Sequence, residues 1–192
     1  GTEGPTFDFF IEQFFSSFGT SPGVFPLDTV LVTTPALGTP DIASGEIRAV
    51  AFRFVIPESH VPGDPVVVRV LLHRTGPVAP ASCFVFRADV MRLIPNLGTE
   101  TYGSGLFIRP DFDAGVAAAG PLPLLIDLPL NRDDGLGLAN DLESGQVLAI
   151  EFNTISHDNG MYQILGAEVF GGVTDGLVGA TVFPNAGSVT CP

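Results

Sequence analysis

From Pro26 onward the chain consists of short runs of Val, Ile, Phe and Leu, each closed by Gly, Pro, Asn or Asp. Branched and aromatic side chains pack well on a pleated surface, and Gly, Pro, Asn and Asp set the backbone angles of tight turns. This punctuation therefore dictates strands joined by turns, and it predicts an all-β fold. Strands are expected at residues 28–34, 46–56, 65–74, 83–93, 106–109, 122–128, 146–153, 161–170 and 177–183.

In an antiparallel sheet with one wet face, apolar and polar residues alternate along the strand. Two of the runs break that rule. Residues 46–56 place Val50, Phe52, Phe54 and Ile56 on one face and Ala49, Ala51, Arg53 and Val55 on the other; residues 65–74 set Val66, Val68, Val70 and Leu72 against Val67, Arg69, Leu71 and His73. Neither outer face is polar, so both sheets are expected to carry a second cover.

Residues 6–18 follow a different period. Phe7, Phe10, Ile11, Phe14, Phe15 and Phe18 recur at helical spacing with Asp8, Glu12, Gln13, Ser16 and Ser17 opposite, and only Phe9 breaks the pattern. Thr6 suits an N-cap and Gly19 a helix stop. A short Phe-rich helix is expected, giving a helical segment over residues 1–25 and a β-sandwich domain over 26–192. Its stripe must be covered by the chain's own sandwich, by a groove on an adjacent subunit or by a membrane surface, and the acidic polar face without Lys or Arg argues against the membrane.

Composition sharpens the question of cover. The chain of 192 residues is 45% hydrophobic and only 15% charged, with mean hydropathy +0.40, whereas a soluble domain averages about 25% charged residues. No run reaches the roughly 18 apolar residues of a membrane span; the greasiest, residues 121–130, holds Asp127 and three prolines. Subunit contacts are the expected outlet for the surplus, with a large core as the other outlet.

The formal charge is −13, lysine is absent, and six of the eight arginines fall within residues 45–95. Such a chain repels phosphate backbones, which excludes nucleic acid as an expected partner. Without lysine, no lysine-linked isopeptide staple or covalent polymer forms. The start at Gly1 rather than Met fits removal of a signal peptide, although an engineered or proteolytic start reads the same. Cys83 and Cys191 match no zinc spacing. A disulfide between them would close a loop of about 109 residues, worth on the order of 4–5 kcal/mol in a chain-entropy model; two buried free thiols are the other reading.

Two phrases carry a family likeness. Ile56-Pro57-Glu58-Ser59-His60-Val61-Pro62-Gly63-Asp64, running into residues 66–72, resembles a strand–turn–strand unit of exported bacterial β-sandwich surface proteins. The stretch from Gly145 through His157-Asp158-Asn159-Gly160 to Val169 resembles the closing hairpin of the same jelly-roll-like proteins. Together they cover about a quarter of the chain. The resemblance implies a jelly-roll or Ig-like antiparallel β-sandwich and a surface or fibre context, and it transfers no catalytic residue.

Catalytic patterns are weak. Gly19-Thr20-Ser21-Pro22-Gly23 matches the G-x-S-x-G nucleophile elbow in letters only, because Pro22 lacks the N–H that the oxyanion hole requires. His60, His73 and His157 lie in separate segments without metal-ligand spacing. Oxygen donors gather at Asn131, Asp133, Asp134, Asn140, Asp141 and Glu143; Asp133, Asp134, Asp141 and Glu143 make this the candidate calcium site, with a solvated acidic loop as the plain reading, and Asp111 with Asp113 is a weaker second. The absence of Trp, with only Tyr102 and Tyr162, argues against sugar-stacking platforms.

These observations point to a non-enzymatic structural subunit of a non-covalent extracellular assembly, a fibre, pilus-like filament or surface layer, built by self-association. Its interface would comprise Phe7, Phe10, Ile11, Phe14, Phe15 and Phe18, with Arg53, Arg69 and Arg87 meeting acidic loops of the neighbour. Deleting residues 1–19 should then leave a folded but unassembled monomer. Two other readings remain: a secreted glycan- or protein-binding module using loops such as 98–105 and 133–143, and a virion decoration or capsid protein.

Overall fold

A computed structural model of the chain describes residues 4–11, 14–18, 30–31, 42–43, 48–74, 84–94, 98–109, 124–131, 135–136, 142–157, 161–173, 175–177, 181–184 and 186. Every regular element among them is a strand: β1 (Phe7–Ile11), β2 (Phe14–Phe18), β3 (Val30–Leu31), β4 (Ile42–Ala43), β5 (Arg48–Val55), β6 (Val66–Arg74), β7 (Phe84–Ile94), β8 (Gly98–Arg109), β9 (Leu124–Pro129), β10 (Val147–His157), β11 (Met161–Gly171) and β12 (Thr181–Pro184).

The strands form two antiparallel sheets. One runs β1-β11-β6-β9, with β4 pairing β11 beyond the end of β1; the other runs β12-β8-β7-β10-β5-β2-β3. The pairs nest: β7 with β8, β6 with β9, β5 with β10, and β4 with β11. Successive pairs alternate between the sheets, as when one long antiparallel ribbon is rolled up from the β7–β8 turn. That winding is a jelly roll, and it decides the topology against an Ig-like order.

The expected N-terminal helix is absent. Residues 7–11 and 14–18 are strands, and they lie in opposite sheets, β1 against β11 and β2 against β5. The period is two: Phe7 is buried, Phe9 and Ile11 pack on the core, and Asp8 and Phe10 are exposed. Phe9, the misfit in a helix, is in phase in a strand. A strand wins because β11 offers an unpaired edge whose ladder satisfies the backbone of β1, and because Gly171, directly opposite Phe7, leaves room for the ring. Residues 98–105, expected as a loop, are the first two thirds of β8.

The core lies between the sheets. Phe52, Phe54, Phe86, Phe107, Leu148, Ile150 and Phe152 from one sheet meet Val66, Val68, Val70, Ile126, Leu128, Ile164 and Val169 from the other. Complete burial of each is worth about 1.5–3 kcal/mol. Parts of the outward faces are also apolar and buried, at Ala51, Val67, Val85, Met91, Leu106, Ala149 and Phe170; on β5 Arg53 and Val55 stay exposed, so the second cover expected over that strand is incomplete.

One end of the sandwich is stitched by side chains. Asn131 Oδ1 accepts the Val66 N–H at 2.7 Å and its Nδ2 donates to the Asp64 carbonyl at 2.6 Å, joining the β9 exit to the β6 entry. His60 Nε2 donates to the Leu142 carbonyl at 3.0 Å, and its ring stands edge-on to Phe7. The Ser144 hydroxyl donates to the His60 carbonyl, so the 56–65 and 142–146 turns form one unit.

Candidate ligand-binding face

On β6 the inward side chains are Val66, Val68 and Val70, which leaves Arg69 on the outward face of the sheet. The register carries that position across four strands: Asp127 of β9 lies opposite Arg69, Arg69 opposite Glu168 of β11, and Glu168 opposite Phe10 of β1. In the adjoining row Phe170 lies opposite Asp8. Six residues distant in sequence thus share one outer surface.

The row grades from buried to open. Asp127 is 3% exposed and Phe10 is 63% exposed, so the accessible part lies over β1 and β11. Arg69 grips Asp127 with a planar fork, Nε to Oδ1 at 2.7 Å and Nη2 to Oδ2 at 2.9 Å. Its guanidinium carbon sits 5.1 Å from the centre of the Phe170 ring. The hydrogen bond to Asp127 raises the Arg69 pKa further above its already high value, against the opposing effect of burial. The buried charge of Asp127 is thereby matched.

Glu168 is half-buried. Desolvation first, then the nearby charge of Asp8 and a hydrogen bond between the two carboxyl groups, push its pKa above the ordinary glutamate value, and Arg69 pulls the other way. The open end therefore combines an apolar ring, two neighbouring carboxyl groups, and the flank of a fixed guanidinium. Rings stack on C–H faces, and carboxylate oxygens accept hydrogen bonds from vicinal hydroxyls.

The other outward face is closed at its centre. Arg87 donates to Asp89 through Nε and Nη2 at 3.1–3.2 Å. Asp89 lies opposite Glu151, and both carboxyl groups are buried. Arg53 is exposed on β5 of this sheet. Arg53 and Arg87 therefore share a sheet, Arg69 lies on the opposite one, and the three form no single patch. Arg69 and Arg87 both take acids of their own chain.

Among the stripe residues, Phe7 is in the core, Ile11 packs against it, and Phe10 is exposed. Phe14, Phe15 and Phe18 lie along β2, and their side chains fall outside the described residues. Cys83, Cys191, Asp111, Asp113, Asp133, Asp134, Asn140, Asp141 and the 19–23 segment also fall outside them. Glu143 is exposed, and its N–H donates to Gln146 Oε1; the oxygen of Asn131 is committed to Val66. Among the described residues no group of three or more His, Cys, Asp or Glu could hold a metal ion; His60 lies in the turn between β5 and β6, His73 on β6 and His157 on β10.

Sequence reasoning missed this face because Asp8, Phe10, Asp127 and Glu168 converge only through register. One signal was present: Asp127 is a lone acid in a greasy run, a position that calls for a partner such as Arg69.

The fold and this face define a jelly-roll β-sandwich with a polar, aromatic-edged patch on one outer sheet. No protein-family model matches the sequence, and no curated protein matches it. Among solved structures, the xylan-binding module CBM15 superposes with a TM-score of 0.47 at 8% identity, covering 87% of this chain and 97% of that chain. No helix among the described residues is long and apolar enough to cross a membrane.

Proposed function

We propose that this chain is a non-catalytic, exported glycan-binding module that holds its ligand on the outer face of the β1–β11 edge. The observation that carries this reading is the exposed ring of Phe10, set in register with Glu168 on the same outer face as Asp8 and Arg69. Phe10 supplies a stacking surface in a chain without Trp, and Tyr102 is buried with Arg92 over its ring. Sugars present apolar C–H faces and hydroxyl edges together, and this pairing of a ring with carboxyl groups meets both.

The described residues give the assembly reading no support: their apolar side chains go largely into the core and onto buried parts of the outer faces, and among them Phe10, Val55 and Val61 are the only large hydrophobic side chains exposed. The test is affinity electrophoresis and calorimetry against a panel of soluble neutral polysaccharides. Phe10→Ala should weaken binding by about tenfold, equivalent to ~1.4 kcal/mol, and leave the melting temperature unchanged because the ring is largely outside the core. Full retention of binding by Phe10→Ala, or no binding to any member of the panel, would remove the proposal.

A further inference from the structure

We infer that the face selects uncharged glycans and excludes chains bearing uronate or sulfate groups, an inference that rests on the glycan-binding reading. The selection is electrostatic and begins with Arg69, the one cation that the described residues place on the face. Arg69 is the residue that would meet an anionic sugar, yet Nε and Nη2 are both committed to Asp127 in a two-point fork. Its positive charge is paired with the Asp127 carboxylate, Nε to Oδ1 at 2.7 Å, and the guanidinium is held near Phe170.

What remains near Phe10 is acidic. Glu168 is directly opposite Phe10 in the register, and Asp8 is two residues from Phe10 on the same face of β1. No lysine exists anywhere in the chain to offset them, and the formal charge of the whole is −13. A polyanion approaching this edge therefore meets repulsion from the chain's overall field and from the carboxyl pair at the contact itself. A neutral chain meets neither, and its hydroxyl groups find acceptors in the same oxygens.

Binding of the intact chain to a soluble neutral β-glucan and to polygalacturonate, each at low and at high salt, tests this. At low salt the neutral polymer should bind at least about tenfold more tightly, and the ratio should shrink as salt screens the repulsion. The double variant Asp8→Asn with Glu168→Gln should narrow the low-salt ratio of the two affinities, because the amides remove the charge that repels the polyanion; the readout is that ratio and not either affinity alone. Equal low-salt affinity for the two polymers overturns the selectivity and leaves glycan binding standing. Selectivity that survives unchanged in the double variant overturns its assignment to this pair. Failure of both polymers to bind overturns the glycan-binding reading itself, and this inference with it.

Discussion

Glu168 shows how a single position couples surface chemistry to stability. Desolvation and the neighbouring Asp8 hold its pKa above the ordinary glutamate value of 4.5. Between that value and the raised one, the native state binds more protons than the unfolded chain, so stability falls as pH rises through the window. Below the window both states are protonated and no penalty exists; above it the full penalty is paid by the charged form. Glu168→Gln keeps a hydrogen-bonding group and removes the titration. Urea unfolding from pH 4 to pH 7 should show wild type losing stability relative to Glu168→Gln as pH climbs, with the variant the more stable at neutrality. Parallel curves for the two proteins would mean that the carboxyl pair carries no such penalty.

At the scale of the element, β1 is where sequence and structure part. The recurrence of Phe7, Phe10, Ile11, Phe14, Phe15 and Phe18 fits a helix on paper, but local period is decided by what the partner offers, and β11 offers an unpaired edge. The Val-rich run of β6 was legible because its valines are buried on both faces, Val66, Val68 and Val70 on one and Val67 on the other, which leaves little room for any assignment but strand. The first part of β8 was illegible for the opposite reason. Its sequence, Gly98-Thr99-Glu100-Thr101-Tyr102-Gly103-Ser104-Gly105, has no apolar alternation, since a Cβ at Gly105 would lie 2.9 Å from both the Leu136 side chain and the Phe183 carbonyl. The candidate face was less legible still, because only the register brings its residues together. The strand reading separates two phenylalanines three residues apart. Phe7→Ala should cost about 3–5 kcal/mol by vacating a core site against His60 and Phe9, whereas Phe10→Ala should cost almost nothing. For the same reason, deleting residues 1–18 should not leave a folded monomer of native stability, since it strips one strand from each sheet. Equal losses in chemical denaturation of the two point variants would contradict the alternation.

For the whole molecule, the question is where so much apolar side chain goes. A two-layer sandwich with wet outer faces would not absorb a composition that is 45% hydrophobic and 15% charged, and from that ledger alone a partner subunit looks necessary. Among the described residues apolar side chains are buried on the outward faces as well as between the sheets: Val67 and Phe170 on one side, Val85, Met91, Leu106 and Ala149 on the other. Stable self-association needs an interface of roughly 1,000 Å² or more with an apolar centre. Among the described residues the exposed large hydrophobics, Phe10, Val55 and Val61, are spread over β1, β5 and the turn after β5, and a formal charge of −13 opposes the approach of a second copy. Multi-angle light scattering in the presence of reductant should therefore give a mass near 20.1 kDa that does not rise with concentration up to the millimolar range. A mass that climbs with concentration, and falls back when Phe10 is replaced by Ser, would instead assign the β1 edge to contact between copies and return the ring to the role of an assembly contact.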